Sequence, residues 1–276
     1  MADLWRVAEG TMVVPASLSD DGIAAFWTPA VVLGGADRIR VGLSAVHSPS
    51  EIGVSGGIAA FSAQVGIGTV NITYGRLGIS NVGYTETSPE VVGGAIDIYN
   101  QALSVGVAGR LANGLVGGLA VRYLSGKMGF NSSDQLGVDV GAKYEPNQHL
   151  RLGVSTHFLD PAFAEPSDAA TYSFGAEVRS RSFDAWGTTA RLALRLGLEA
   201  ARADEESQLI TAGLWLGPSF VLDYGAEHEK NSVDSVWRSR LGLGVTAKQF
   251  TARLARDGGV HGFGATYSFG MTATFR

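Results

Sequence analysis

Charged side chains recur inside stretches that otherwise alternate between apolar and polar residues. Arg122, Lys143, Arg151, Arg191, Arg195, Arg238, Arg240 and Arg253 all fall on the polar parity of such stretches, and Asp139 and Glu199 share it. Groups placed this way can pair with one another to fill an enclosed space, or line a wet conduit and select what passes; the sequence leaves both open. The same chain offers little to catalysis. His47, His149, His157, His228 and His261 show no i,i+4 pair and no ligand spacing. Glu227-His228-Glu229 could offer side chains to a metal, but reads better as a solvated loop. A Ser/His/Asp arrangement could be drawn from His47, His228, His261, Asp234 and nearby serines, yet no fixed spacing supports one. Gly242 to Ala247, GLGVTA, has the letters of a dinucleotide fingerprint but lies inside a strand pattern with no helix behind it. No enzyme, cofactor or metal is expected.

The elements that must carry these charges are strands. In the last stretch, 262–276, Phe263, Ala265, Tyr267, Phe269, Met271, Ala273 and Phe275 share one parity, and glycine, threonine and serine fill the other. Strict alternation over such a length gives one apolar and one polar face. An arginine facing lipid at the midplane costs about 2–4 kcal/mol. Several of them would exceed the roughly 5–15 kcal/mol that holds an ordinary domain together. The polar parity is therefore expected to face a closed, wet lumen and the apolar parity a bilayer. A soluble all-β protein would show the same alternation. The strand lengths, the aromatics near strand ends (Tyr123, Tyr144, Phe158, Tyr172, Trp215, Phe220, Trp237, Phe275) and an even strand count speak against it.

Composition agrees. Glycine, at 38 of 276 residues, is roughly twice its usual frequency, and charged residues fall below their usual share of about a quarter. No apolar run is long enough for a transmembrane helix, which leaves barrel strands untouched, since these alternate. The net charge of −5 and the lack of a basic stripe argue against a nucleic-acid partner. With no cysteine there is neither a disulfide framework nor a thiolate metal site. MADLWRVAEG lacks the basic-then-apolar pattern of a secretory leader, so an exported protein would be read here in processed form.

In chain order, residues 1–36 do not alternate, and the apolar run Ile23–Trp27 follows an Asp-Asp-Gly turn. The segment reads as a plug tucked into the lumen at the periplasmic end. About fourteen strands follow over 37–276, giving an all-β, closed antiparallel transmembrane barrel. The clearest hairpin turns at Ala112-Asn113-Gly114, where Asn-Gly is a strong hairpin signal. Ser80–Gln101, with Pro89 and Gly93-Gly94, reads as the longest loop. With the N-terminus in the periplasm, the short turns face the periplasm and the longer loops face outward.

Residues Asp20, Asp21, Ala24, Ala25, Trp27, Pro29 and Ala30 resemble the DD…A…NPA signature of FadL-type and PorV/PorQ-type outer-membrane barrels, with Thr28 in place of the asparagine. The stretches Leu103–Leu124 and Leu136–Phe158 follow the strand pattern of the same families, and the last strand is similar to the C-terminal targeting strand of bacterial outer-membrane proteins, except that Arg276 follows Phe275. The resemblance implies a plug carried by Asp20, Asp21, Phe26, Trp27 and Pro29, residence in the bacterial outer membrane, and contact with membrane lipid. It implies one of two functions: passage of a hydrophobic or amphipathic small molecule, or a non-transporting barrel that docks another envelope protein through Ser80–Gln101. The chain is short for either family, and its outer loops are short with it.

Overall fold

The computed structural model describes residues 2–85, 92–129, 131–159, 170–185, 187–202, 205–230, 235–259 and 264–276. After a helix α1 (Ala2–Glu9), a 3-10 turn (Ala16–Leu18) and a one-turn helix α2 (Ala24–Trp27), all remaining regular structure among the described residues is strand. The strands are β1 (Ile39–His47), β2 (Val54–Val65), β3 (Gly68–Thr85), β4 (Val92–Ala112), β5 (Leu115–Met128), β6 (Asn131–Asn147), β7 (Leu150–Leu159) and β8 (Thr171–Arg179). They continue as β9 (Phe183–Ala185), β10 (Thr188–Arg202), β11 (Glu205–Leu216), β12 (Phe220–Lys230), β13 (Ser235–Ala247), β14 (Phe250–Asp257) and β15 (Thr266–Phe275). Each pairs antiparallel with its neighbours, and β15 returns to β1 in a register from Ile39↔Phe275 to His47↔Tyr267. The result is a closed transmembrane barrel of fourteen strands; β9 is a three-residue flap paired only with the start of β10.

Alternation decides which side chain faces where. On β10 Leu194 is 54% exposed while its neighbour Arg195 is 2% exposed. The same reversal runs round the barrel, with Leu43, Ile72, Val105, Val121, Leu192, Leu222, Leu243 and Phe269 outward. Exposed apolar residues in that number would be untenable in water; a bilayer is what they fit. The connections after β2, β4, β6, β11 and β13 are short turns and mark one end of the barrel, here the turn end; the opposite rim is the loop end.

Several expectations are corrected. Ser80–Gln101 is not a long loop: β3 runs on to Thr85 and β4 starts at Val92, so only 86–91 lie outside the described residues. The glycines there weaken the alternation without ending the ladder. Phe158 does not join an outer aromatic girdle. It is 5% exposed and turned inward, with φ +58°, where the β6–β7 register shifts between Val138 and Val140. Trp215 also faces the lumen, beside Arg195 at 5.0 Å from the guanidinium carbon to the ring. Tyr123, Tyr144, Tyr172, Phe220, Trp237 and Phe275 do face outward. Glu227-His228-Glu229 is strand, not loop, so the two carboxylates point in and His228 points out; the three cannot converge on one ion. The strand of the closing stretch is Thr266–Phe275, and 262–263 fall outside the described residues. So do Asp234 and His261.

Candidate functional site

The lumen is filled by the N-terminal segment, which threads the whole height of the barrel rather than sitting at its turn end. α1 lies at the loop end, where Arg6 pairs with Glu229 at 3.4 Å. The chain then descends past β13, β7 and β5 and leaves at the turn end, where the Leu33 N–H donates to Thr69 Oγ1 at 3.0 Å. The wall is cut to receive it. A Cβ on Gly118 would come within 2.1 Å of the Pro29 carbonyl oxygen, and one on Gly42 within 2.2 Å of the Gly22 backbone. Only a missing side chain lets the two backbones lie this close.

The inward cations hold this segment by its carbonyls. Arg122 donates through Nη2 to the Phe26 carbonyl at 2.6 Å, and Arg240 through Nη1 to the Met12 carbonyl at 2.6 Å. Arg40 reaches the Asp20 carbonyl at 3.1 Å, Arg151 reaches that of Leu18, and Lys143 that of Ser19. A buried carbonyl outside a helix or sheet must find a donor somewhere, and here the barrel wall supplies it with charged ones. The guanidiniums of Arg122, Arg151 and Arg240 are in turn anchored by carboxylates, and Arg195 and Arg238 extend the lattice. Arg122 meets Asp139 at 2.5 Å, Arg195 spans Glu177 at 2.5 Å and Asp223 at 2.7 Å, and Arg238 meets Glu227, Glu229 and Asp257 at 2.7–2.9 Å. Asp139 also accepts the Phe158 N–H at 2.8 Å, which fixes the inverted backbone there.

Of the sequence-nominated charges, Arg122, Asp139, Lys143, Arg195, Arg238 and Arg240 are thus joined in this lattice, and Arg253 approaches Asp21 at 3.7 Å. Arg191 lies inward with a buried Nε that finds no acceptor. Glu199 lies at the loop end, in a vestibule with Glu9 and Arg240. Sequence reasoning did not nominate Arg40, Glu177 or Asp223, and weighed Glu227 only as a metal ligand in a loop. Parity would have found Glu177 between Ala176 and Val178, and Asp223 between Leu222 and Tyr224.

Of the segment's residues, Asp20 pairs with Arg151 at 2.9 Å. Enclosure would push the Asp20 carboxyl up, but the Arg151 guanidinium, with Arg253 and Lys143, outweighs this and holds it well below the usual carboxylate range. Burial, then the Glu199 carboxylate, pushes the Glu9 carboxyl in α1 well above that range. Phe26 and Trp27 are buried and in mutual contact, with Trp5 5.0 Å from Phe26. This aromatic group packs on inward apolar residues of one side of the wall, including Val46, Val54, Ile58, Leu77 and Leu124. Pro29 lies against Gly118.

The lumen is therefore two-sided: an apolar patch on the β1–β5 side, around Val46, Val54, Ile58, Leu77 and Leu124 and flanked by the inward cations Arg40 and Arg122, and a charged sector over β6–β14. A vestibule of about 360 Å³ opens at the loop end between Arg6, Glu9 and Arg238, and one of about 670 Å³ at the turn end around Asp20, Arg40 and Lys143. Between them, beside Trp27, an internal cavity measures about 70 Å³. No group of metal-ligating side chains converges among the described residues. His228 Nε2 lies 2.6 Å from Ser235 Oγ on the outer face, the one histidine–serine approach among the named candidates, and it stands apart from the lumen.

No protein-family model matches the chain, and no curated protein is similar to it in sequence. Solved structures match its fold. The Pseudomonas putida toluene transporter TodX has a TM-score of 0.61 at 9% identity, with 92% of this chain and 94% of that one covered. The Ralstonia pickettii toluene transporter TbuX gives 0.55 at 11% identity, covering 93% and 95%. A Pseudomonas aeruginosa FadL homologue gives 0.55 at 10% identity, covering 98% of both chains. CdiB from Acinetobacter baumannii gives 0.50 at 10% identity, and this chain spans 61% of it. The fold is thus FadL-like; the PorV/PorQ side of the resemblance is not shown by these structures.

Proposed function

We propose that the protein is a passive channel of the bacterial outer membrane for hydrophobic or amphipathic small molecules, with residues 1–36 as its gate. The turn end faces the periplasm and the loop end faces outward. The observation that carries this reading is the placement of Trp5, Phe26 and Trp27 against an apolar inner wall, between two vestibules. These side chains occupy the track that an apolar solute would take. They are removable because the segment holding them is not part of the sheet; it is tied to the wall by side-chain donors to its carbonyls. The toluene transporters of the same fold support the choice of solute class.

Uptake of a small aromatic hydrocarbon into liposomes tests this, with the intact chain compared to one lacking residues 1–36. Flux that rises on deletion is expected; no flux from either protein sinks the transport reading. A second reading, a barrel that docks another envelope protein without transport, is favoured by the small size of the internal cavity, about 70 Å³, and the closure of the lumen by ion pairs. Its docking element would be the projecting β3–β4 hairpin, whose strands of 18 and 21 residues are twice the length of β1 at 9.

A further inference from the structure

On four neighbouring strands the outward face changes character at one register step. Leu103 on β4 stands between Tyr74 on β3 and Tyr123 on β5, and Tyr123 is followed by Leu136 on β6. One step toward the turn end, the outward side chains are Ile72, Val105, Val121 and Val138. One step toward the loop end, they are Arg76, Gln101, Ser125 and Asp134, and the next step sets Tyr99 beside Lys127. An apolar band that gives way through tyrosines to polar residues marks the level of the lipid headgroups. Arg76 and Lys127 therefore stand outside the barrel at that level. The Arg76 guanidinium carbon lies 4.3 Å from the centre of the Tyr99 ring. Neither cation forms an ion pair with a carboxylate among the described residues; Asp134 on β6, opposite Ser125, is the neighbouring outward carboxylate.

Beside this pair the outer wall is indented. Ser55, Gly57 and Ala59 are successive outward residues of β2, and Phe61 is the next toward the turn end. Side chains this small, between Leu43 and Met271 on one flank and Tyr74 and Arg76 on the other, leave a largely apolar groove of about 680 Å³. Its floor from Ser55 to Ala59 is about 13 Å long at the usual rise of a strand. The volume lies within the range of small-ligand sites.

We infer that this groove binds a phosphate-bearing lipid of the leaflet at the loop end, one acyl chain along β2 and the phosphate against Arg76 and Lys127. Three things select this occupant. The groove opens toward the bilayer, where acyl chains are the solvent. Arg76 lines it at one end only, at headgroup depth, with Lys127 beyond Tyr99 at the same level. A guanidinium already oriented by an aromatic ring presents paired N–H donors that fit phosphate oxygens. A neutral lipid would fill the groove and leave both cations unmet. The inference needs the outward face to meet a bilayer, and is independent of whether any solute crosses the lumen.

Native mass spectrometry of the full chain in detergent tests it, with phosphorylated lipid A, the same lipid dephosphorylated, and inorganic phosphate as separate probes. One tightly held copy of the phosphorylated lipid is expected, bound about tenfold or more tighter than the dephosphorylated form, as one or two charge-assisted hydrogen bonds imply. Arg76→Gln with Lys127→Gln should erase that preference and leave weak binding of both lipids. Ala59→Trp, which fills the groove from an outward position, should weaken both. Equal affinity for the two lipids, an unchanged preference in the double variant, or full competition by inorganic phosphate would each overturn the assignment. Heat-modifiable gel mobility reports the folded barrel, and should the double variant misfold, either single variant carries the same test.

Discussion

Replacing Arg122 by methionine should loosen the lumen segment without opening the barrel wall. Arg122 is 1% exposed, donates to the Phe26 carbonyl at 2.6 Å, pairs with Asp139 at 2.5 Å and lies over the Phe26 ring at 4.5 Å. Two losses follow, and they can be separated. The Phe26 carbonyl loses a charge-assisted hydrogen bond, about 1.5–3 kcal/mol. Asp139 loses its counter-charge, and breaking a buried pair from one side costs about 3–5 kcal/mol of fold stability. The reporter is Ala25→Cys, placed in α2 at a position only 4% exposed, in a chain with no cysteine of its own. Thiol labelling there requires the segment to open locally, so its rate should rise on the order of 10- to 100-fold in Arg122→Met. Adding Asp139→Leu removes the stranded carboxylate and should restore most of the unfolding stability. It should not restore slow labelling, because the Phe26 carbonyl still lacks its donor. A labelling rate within about twofold of the parent in folded Arg122→Met, or recovery of both readouts together in the double variant, would refute the idea that the cations latch the segment.

Three further outcomes are expected. Gly118→Val places a side chain where a Cβ would already lie 2.1 Å from the Pro29 carbonyl; the segment must shift, and single-channel conductance in a planar bilayer should rise above that of the parent. Asp20 has a depressed carboxyl pKa through Arg151, so its contribution is fully present above the unfolded value of about 3.9 and is lost as the pH falls below that toward the folded value. Labelling of Ala25→Cys should therefore stay flat from neutral pH down to about pH 4 and quicken only in stronger acid, whereas Asp20→Asn should already label fast at neutral pH. Leu194→Arg puts a charge on a residue 54% exposed on the outward face; folding into lipid vesicles should be destabilised by about 2–4 kcal/mol, and no change in a reversible denaturant titration would count against the bilayer-facing assignment.

The outward half of the barrel was legible because period-two patterning needs no partner to be read: Leu192, Leu194 and Leu196 announce their face from three residues of sequence. The inward half was legible only in kind. Parity places Arg122 and Asp139 on the same face, but only the β5–β6 register brings them together, and that register sets residues far apart in the chain side by side. Phe158 was misread because its inversion depends on a one-residue slip opposite Val138 and a left-handed backbone, neither of which leaves a mark on the alternation. Trp215 was misread for a different reason. Its flanking Leu214 and Leu216 already fixed its parity, and the habit of placing tryptophan in a girdle overrode them. The spacing of Leu4, Trp5, Val7 and Ala8 carried a helical signal for α1. What the sequence could not show is that α1 sits at the far end of the lumen from β1, since nothing local in residues 10–36 says how far they extend.

That threading explains why the charges are distributed as they are. A lattice meant only to fill the barrel would pair wall cations with wall carboxylates and need no other acceptor. Here Arg122, Arg240 and Arg151 each divide their donors between a wall or segment carboxylate and a main-chain carbonyl of the segment. The carboxylates fix the guanidinium planes; the remaining N–H groups hold a strand of chain that has no sheet of its own. The cost of burying ion pairs this way is high and often not recovered in stability. It becomes intelligible if the segment has to be released and recaptured in one position, because charge-assisted hydrogen bonds depend on geometry in a way that apolar contact does not. On the channel reading proposed above, the apolar patch would supply the surface a solute wets, and the charged sector would return the segment to register after it has passed.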